Sequence, residues 1–160
     1  MKPWVVQSTD YSKKYPASSV LILGQRDRKL DSGFKNYWLA KSTGQGFIMR
    51  VDTCVRLIAG CQIKNIGKGW SGRNRVTKEF KVSGSLSENG PWETLVEDQL
   101  NDTTGNKLAS LLNFTFERPV EIQFLKFDLV SFWGNGGGLQ YFAPILGTTS
   151  KQQNLDMSYY

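Results

Sequence analysis

Thr77-Lys-Glu-Phe-Lys-Val-Ser-Gly-Ser85, followed by Glu88-Asn-Gly-Pro-Trp-Glu-Thr-Leu95, carries the clearest structural signal in this chain. Phe80 and Val82 alternate with Glu79 and Lys81, the period of a strand with one buried face. Asn89-Gly90-Pro91 is a turn signal, because Asn and Gly tolerate positive φ and Pro fixes the next φ near −65°. A second strand, opened by Trp92 and running to Asp98, completes a hairpin.

The pattern continues outward from there. Gly46–Val51 and Arg56–Lys64 read as strands, Asn113–Phe116 alternates, and Leu139–Ile145 makes a last strand. Val120–Leu129 also alternates, but its phase shifts at Phe124-Leu125, which predicts a bulge. Leu108–Leu112 is expected to form a short helical turn. Polar or glycine-rich loops occupy 24–36, 65–75 and 131–138. Short strands with turn punctuation and no amphipathic helix predict an all-β fold, an antiparallel β-sandwich. Residues 1–15 are expected as an N-terminal arm or leader strand, 16–146 as the domain, and 147–160 as a polar tail. Trp38, Trp92, Phe114, Phe116, Phe124 and Phe127 are assigned to the core.

Composition bounds the function. The 160 residues include 39% hydrophobic and 12% aromatic side chains, enough for one folded domain with a sizeable core. No apolar run approaches the roughly 18 residues of a membrane span, and the first residues hold no signal-peptide core; the compartment stays open. Residues 1–87 hold 16 Lys/Arg against 5 Asp/Glu, and residues 88–160 hold 4 against 9. The basic half suits anionic glycans, phospholipid headgroups or nucleic acid. The absence of any run of five like charges argues against nucleic acid. Cys54 and Cys61 are expected as buried free thiols, with a cross-strand disulfide as the alternative. Asn101-Asp-Thr103 and Asn113-Phe-Thr115 match the glycosylation triplet, the second inside a strand.

Catalysis finds little support. The chain has no His, hence no usual proton shuttle or triad base, and Glu97-Asp98 would diverge on a strand. Gly67-Lys-Gly-Trp-Ser-Gly72 fits a dinucleotide fingerprint, but that motif needs a helix after the glycines to offer its amides to pyrophosphate. A strand follows instead. The same loop reads better as a recognition surface: Trp70 offers a flat apolar face, and Arg73, Asn74 and Arg75 offer donors, the mixture that a sugar ring requires. Trp133 with Asn135, and Arg26, Asp27, Arg28 and Asp31, would supply further walls. In the alternative reading these aromatic rings are core and the charges are solvated.

Ala17-Ser18-Ser19, the Asp31-Ser-Gly33 loop before Tyr37-Trp38, Phe80-Lys-Val-Ser-Gly-Ser85 with Trp92, and the late Phe124–Leu129, Trp133 and Leu139-Gln-Tyr-Phe142 together resemble the discoidin family. That family comprises the type C domains of coagulation factors 5 and 8, within the galactose-binding-like jelly rolls. The likeness spans roughly residues 16–145. It implies a binding module, with the loop before Phe80 at the ligand end and a structural calcium ion near Asp31 and Gly33. The sequence departs from the family in three places. It has no terminal cysteine pair, Gln140 stands where many members carry Arg, and Gln140 or Tyr141 stands near the family's late acidic calcium partner. The resulting expectation is a non-enzymatic module for a glycan or glycoprotein, using Arg26, Asp27, Asp31, Trp70, Arg73, Asn74, Arg75, Trp133 and Asn135. The alternatives are a protein–protein adaptor and a peripheral phospholipid binder tipped by Trp70, Trp133 and Phe34.

Overall fold

In a computed structural model, described for residues 1–21, 37–68 and 74–148, those residues form twelve strands and one short 3-10 helix, Ala17–Leu21. The strands are β1 (Trp4–Ser8), β2 (Trp38–Leu39), β3 (Gly46–Arg50), β4 (Arg56–Lys64), β5 (Arg75–Thr77), β6 (Glu79–Ser85), β7 (Glu93–Gln99), β8 (Leu111–Ile122), β9 (Phe124–Leu129), β10 (Phe132–Gly134), β11 (Gly138–Leu139) and β12 (Tyr141–Leu146). An antiparallel sheet in the order β1-β3-β9-β6-β7 packs on a three-stranded sheet in the order β12-β4-β8. Two ribbons, β10-β5 and β11-β2, lie beside them. The fold is an antiparallel β-sandwich.

The decisive hairpin forms with Val82 opposite Val96 and Phe80 opposite Asp98. β6 lies inside the sheet, paired with β7 on one edge and β9 on the other. Phe80 and Val82 are buried, and Glu79 is exposed. Burying each such apolar side chain contributes about 1.5–3 kcal/mol. Phe80 stacks on Phe127 at 5.7 Å and meets Phe114 of the opposite sheet edge-on at 5.0 Å. Phe127 also stacks on Phe47 at 5.3 Å, with Trp38 and Phe142 edge-on to it. This aromatic cluster joins the two layers. Gly90 closes the hairpin turn at φ +88°, a value open to Gly at little cost.

Several expectations need correction. Trp92 is not core: β7 begins one residue later, and the indole sits half-buried with the Lys126 ammonium 5.5 Å from its ring. Phe124 is buried as expected, though on the outward face of β9 beneath the Arg50 guanidinium, which also covers Trp4. Phe114 is half-buried against the core. The phase shift near Phe124 is not a bulge within one strand. Gln123 lies between β8 and β9, donating to the Ser85 carbonyl and accepting from the Val51 amide, as the chain crosses from one sheet to the other. Leu108–Leu112 forms no helical turn; Leu108 is exposed and Leu111 starts β8. Cys61 is buried, which pushes its thiol up to about 12, whereas Cys54 is exposed; both are free.

Within residues 1–15, β1 pairs with β3 and the segment after it binds back by Thr9 to Gly46 and by Tyr11 to Leu39. The basic and acidic halves of the sequence interleave, since β9 lies between β3 and β6. The chain-wise charge imbalance therefore does not divide the large sheet into two faces.

Candidate functional site

At one end of the sandwich the β5–β10 ribbon brings together chain segments that are far apart in sequence. Thr77 pairs with Phe132, Val76 with Trp133 and Arg75 with Gly134, and Arg75 also bridges Gly136. Gly134 has φ +69°, and a Cβ there would lie 2.5 Å from the Asn74 carbonyl oxygen. Only glycine allows this approach, which lets the Asn135 amide donate to that oxygen at 2.8 Å. The exposed side chains of Asn74 and Asn135 thus belong to directly bonded neighbours.

The loop between β7 and β8 supports the pair from the other side. The Gly105 amide donates to Asn74 Oδ1 at 3.3 Å. Asp102 accepts from the Thr104 hydroxyl and amide and meets Lys107 at 3.3 Å, and these contacts hold its carboxyl below the usual range, the Thr104 hydroxyl first. The buried Thr103 hydroxyl donates to the Ile66 carbonyl at 2.6 Å, fastening this loop to the one before β5.

Arg75 is half-buried. Its guanidinium nitrogen passes close to bare Gly136, and the group lies 4.2 Å from the ring centre of Tyr11. Tyr11 is 50% exposed and begins an aromatic series with Tyr15 at 6.3 Å and Tyr37 stacked on Tyr15 at 5.5 Å. The end therefore presents an accessible aromatic ring, a guanidinium held over it and two exposed amides. Tyr11 is absent from the sequence-derived site. Nothing local marks it, because its place is set by the distant pairing of Asp10 with Ala40.

Trp133 sits in the same ribbon but plays a different part. Its indole N–H donates to the Leu100 carbonyl at 3.0 Å, and its half-buried ring packs on the small cluster of Tyr37, Leu39, Ile66 and Val76. Lys78 lies 4.6 Å from the ring centre. It braces the ribbon rather than offering a free ring face. Asn74, Arg75 and Asn135 are thus brought together, with Trp133 beneath them. Arg26, Asp27, Arg28, Asp31, Gly33, Phe34, Trp70 and Arg73 lie outside the described residues, as does the calcium expectation on Asp31 and Gly33. Among the described residues no His, Cys, Asp or Glu cluster could hold a metal ion. Gln140, where the resemblance expects the late acid, is buried with Oε1 unpartnered. It offers one neutral oxygen, where calcium takes six to eight, carboxylates included. No helix among the described residues is long and apolar enough to cross a membrane.

No family model matches this chain, and no curated protein matches it. Solved structures do. A family 32 carbohydrate-binding module from Clostridium perfringens NanJ, solved with galactose, is 16% identical with a TM-score of 0.62, over 89% of this chain and 98% of that one. The family 32 module of Streptococcus pneumoniae EndoD is 16% identical with a TM-score of 0.61, over 91% and 96%. Another C. perfringens family 32 module, solved with GalNAc-β-1,3-galactose, is 11% identical with a TM-score of 0.62, over 90% and 94%. At such identities the likeness is one of fold, and it covers nearly the whole of each module: the chain shares the β-sandwich fold of these modules.

Proposed function

We propose that this protein is a non-enzymatic carbohydrate-binding module that holds its glycan at the sandwich end formed by Tyr11, Asn74, Arg75 and Asn135. The observation that carries this reading is the convergence of an exposed aromatic ring, a guanidinium fixed over it and two adjacent amides from three separate chain segments. A sugar presents C–H faces to the ring and hydroxyls to the donors and acceptors. Trp70 and Arg73, which precede Asn74 in the chain, are assigned to the same site on sequence grounds, as are Arg26, Asp27 and Asp31. The family 32 modules that share the fold, solved with galactose and with GalNAc-β-1,3-galactose, support the ligand class. The sequence resemblance to discoidin domains points to the same class of non-catalytic module.

Glycan-array screening followed by calorimetry on the wild type, Arg75→Ala and Trp70→Ala tests this. The expected result is saturable binding to one glycan class, lowered at least about tenfold by Arg75→Ala, the scale of a lost hydrogen bond to a charged group. Full affinity in Arg75→Ala would remove this end of the sandwich from the binding site. A single stoichiometric protein partner from pull-down, with no glycan bound, would favour an adaptor instead.

A further inference from the structure

On the outer face of the five-stranded sheet, Asp128 is a half-buried carboxylate that makes no hydrogen bond among the described residues. The register places Gly46 of β3 on one side of it and Lys81 of β6 on the other. Position 46 must be bare, because a Cβ there would stand 1.7 Å from the Phe127 carbonyl oxygen. Gly46 and Asp128 border a cleft of about 250 Å³, lined also by Gln7, Ser8, Thr9, Gln45 and Lys126. Lys126 could close over the carboxylate, but its ammonium lies instead over the Trp92 ring at 5.5 Å. Neither Lys126 nor Lys81 forms an ion pair with Asp128.

A half-buried carboxylate without a partner is costly, and such groups gather where a ligand completes them. Burial raises its proton affinity, while Lys126 and Lys81 oppose that rise. The chemistry of the cleft selects the ligand. Two lysines nearby disfavour a cation, and the carboxylate disfavours an anion. What remains is a neutral molecule with several hydroxyls, able to donate to Asp128 and to exchange hydrogen bonds with Gln7, Gln45 and the Thr9 hydroxyl. The volume falls below the roughly 300–1,000 Å³ of sites for drug-sized ligands, a size suited to a single sugar ring.

We infer that this lateral cleft is a second binding site, taking one neutral sugar residue with Asp128 as the acceptor for its hydroxyls. It shares a ligand class with the proposed end site but none of its residues, so either can fail alone. The experiment follows backbone amide NMR shifts during separate titrations with galactose, mannose, glucose and methylammonium. The expected result is saturable shifts at Gln7, Thr9, Gln45 and Gly46 with at least one sugar. Asp128→Asn should weaken these at least about tenfold and Gln45→Ala should weaken them too, while Arg75→Ala leaves them unchanged. Shifts confined to the end loops would overturn the inference and spare the end site. Unchanged lateral affinity in a folded Asp128→Asn protein would overturn it also, as would methylammonium binding there more tightly than any sugar.

Discussion

Replacing Gly134 by alanine should damage the end site without altering any side chain that faces a ligand. Two costs add. At φ +69° an alanine is in the left-handed region, at about 1–2 kcal/mol. Its Cβ would also stand 2.5 Å from the Asn74 carbonyl oxygen, a backbone atom that can yield only if the β5–β10 ribbon parts. Parting breaks the 2.8 Å bond from Asn135, at about 0.5–1.5 kcal/mol. Together these predict a loss of about 1.5–3.5 kcal/mol, read from urea unfolding at constant m-value. Glycan affinity should fall with it, since Asn74 and Asn135 would no longer be held together. Gly44→Ala is the control: its φ is +76°, yet nothing lies within 4 Å of the added Cβ. It should cost only the conformational part and leave end-site affinity intact. If Gly134→Ala proves no worse than Gly44→Ala, or binds glycan as well as wild type, the close approach to Asn74 is not what builds the site.

Other consequences follow from the core and the electrostatics. Phe127→Ala removes the ring on which Phe47, Phe80, Trp38 and Phe142 all pack, so it should cost about 3–5 kcal/mol in denaturant unfolding, and less than about 1.5 kcal/mol would contradict its central place. Asp52 is held at about 2, first by the Thr53 amide and then by Arg56. Because its folded value lies below the unfolded one, its contribution is complete above about pH 4 and is lost as the pH falls towards 2. Unfolding curves of wild type and Asp52→Asn should therefore differ near neutrality and converge in acid; a gap that persists in acid would assign the difference to another cause.

The hairpin was legible because a period of two leaves Phe80 and Val82 one common face, and a sheet with one buried face fixes which it is. The same rule does not place an aromatic at a strand end. Trp92 follows the turn, outside the pairing of β7, and its indole finds Lys126 on the outer face. Phe124 shows the complementary limit: the alternation is visible, but its meaning depends on Arg50, a cross-strand neighbour that covers the outward-facing ring. Leu108–Leu112 is short and apolar, and such runs do not distinguish helix from strand by periodicity. For the proposed site, Asn74, Arg75 and Asn135 could be named as candidates because loops rich in glycine, amides and arginine limit the chemistry available, and the structure brings the three together. Tyr11 could not, since only a non-local bridge brings it under Arg75.

Trp133, a candidate site residue read from the sequence, stands in the structure as a brace for the proposed end site. It lies one residue before Gly134 and two before Asn135, in the ribbon that carries Arg75. Its N–H is committed to the Leu100 carbonyl, where the β7–β8 loop begins, and that loop reaches Asn74 through Gly105. The indole thus ties together the two supports of the Asn74–Asn135 pair. Trp133→Phe keeps a ring against Val76 and Tyr37 but leaves the Leu100 carbonyl without its donor, at about 1–3 kcal/mol if no water replaces it. The change should lower stability and end-site affinity together while leaving amide shifts around Gln7 and Gln45 in place. If affinity fell and stability did not, the Trp133 ring would itself be meeting the glycan, and the bracing role assigned to it would be wrong.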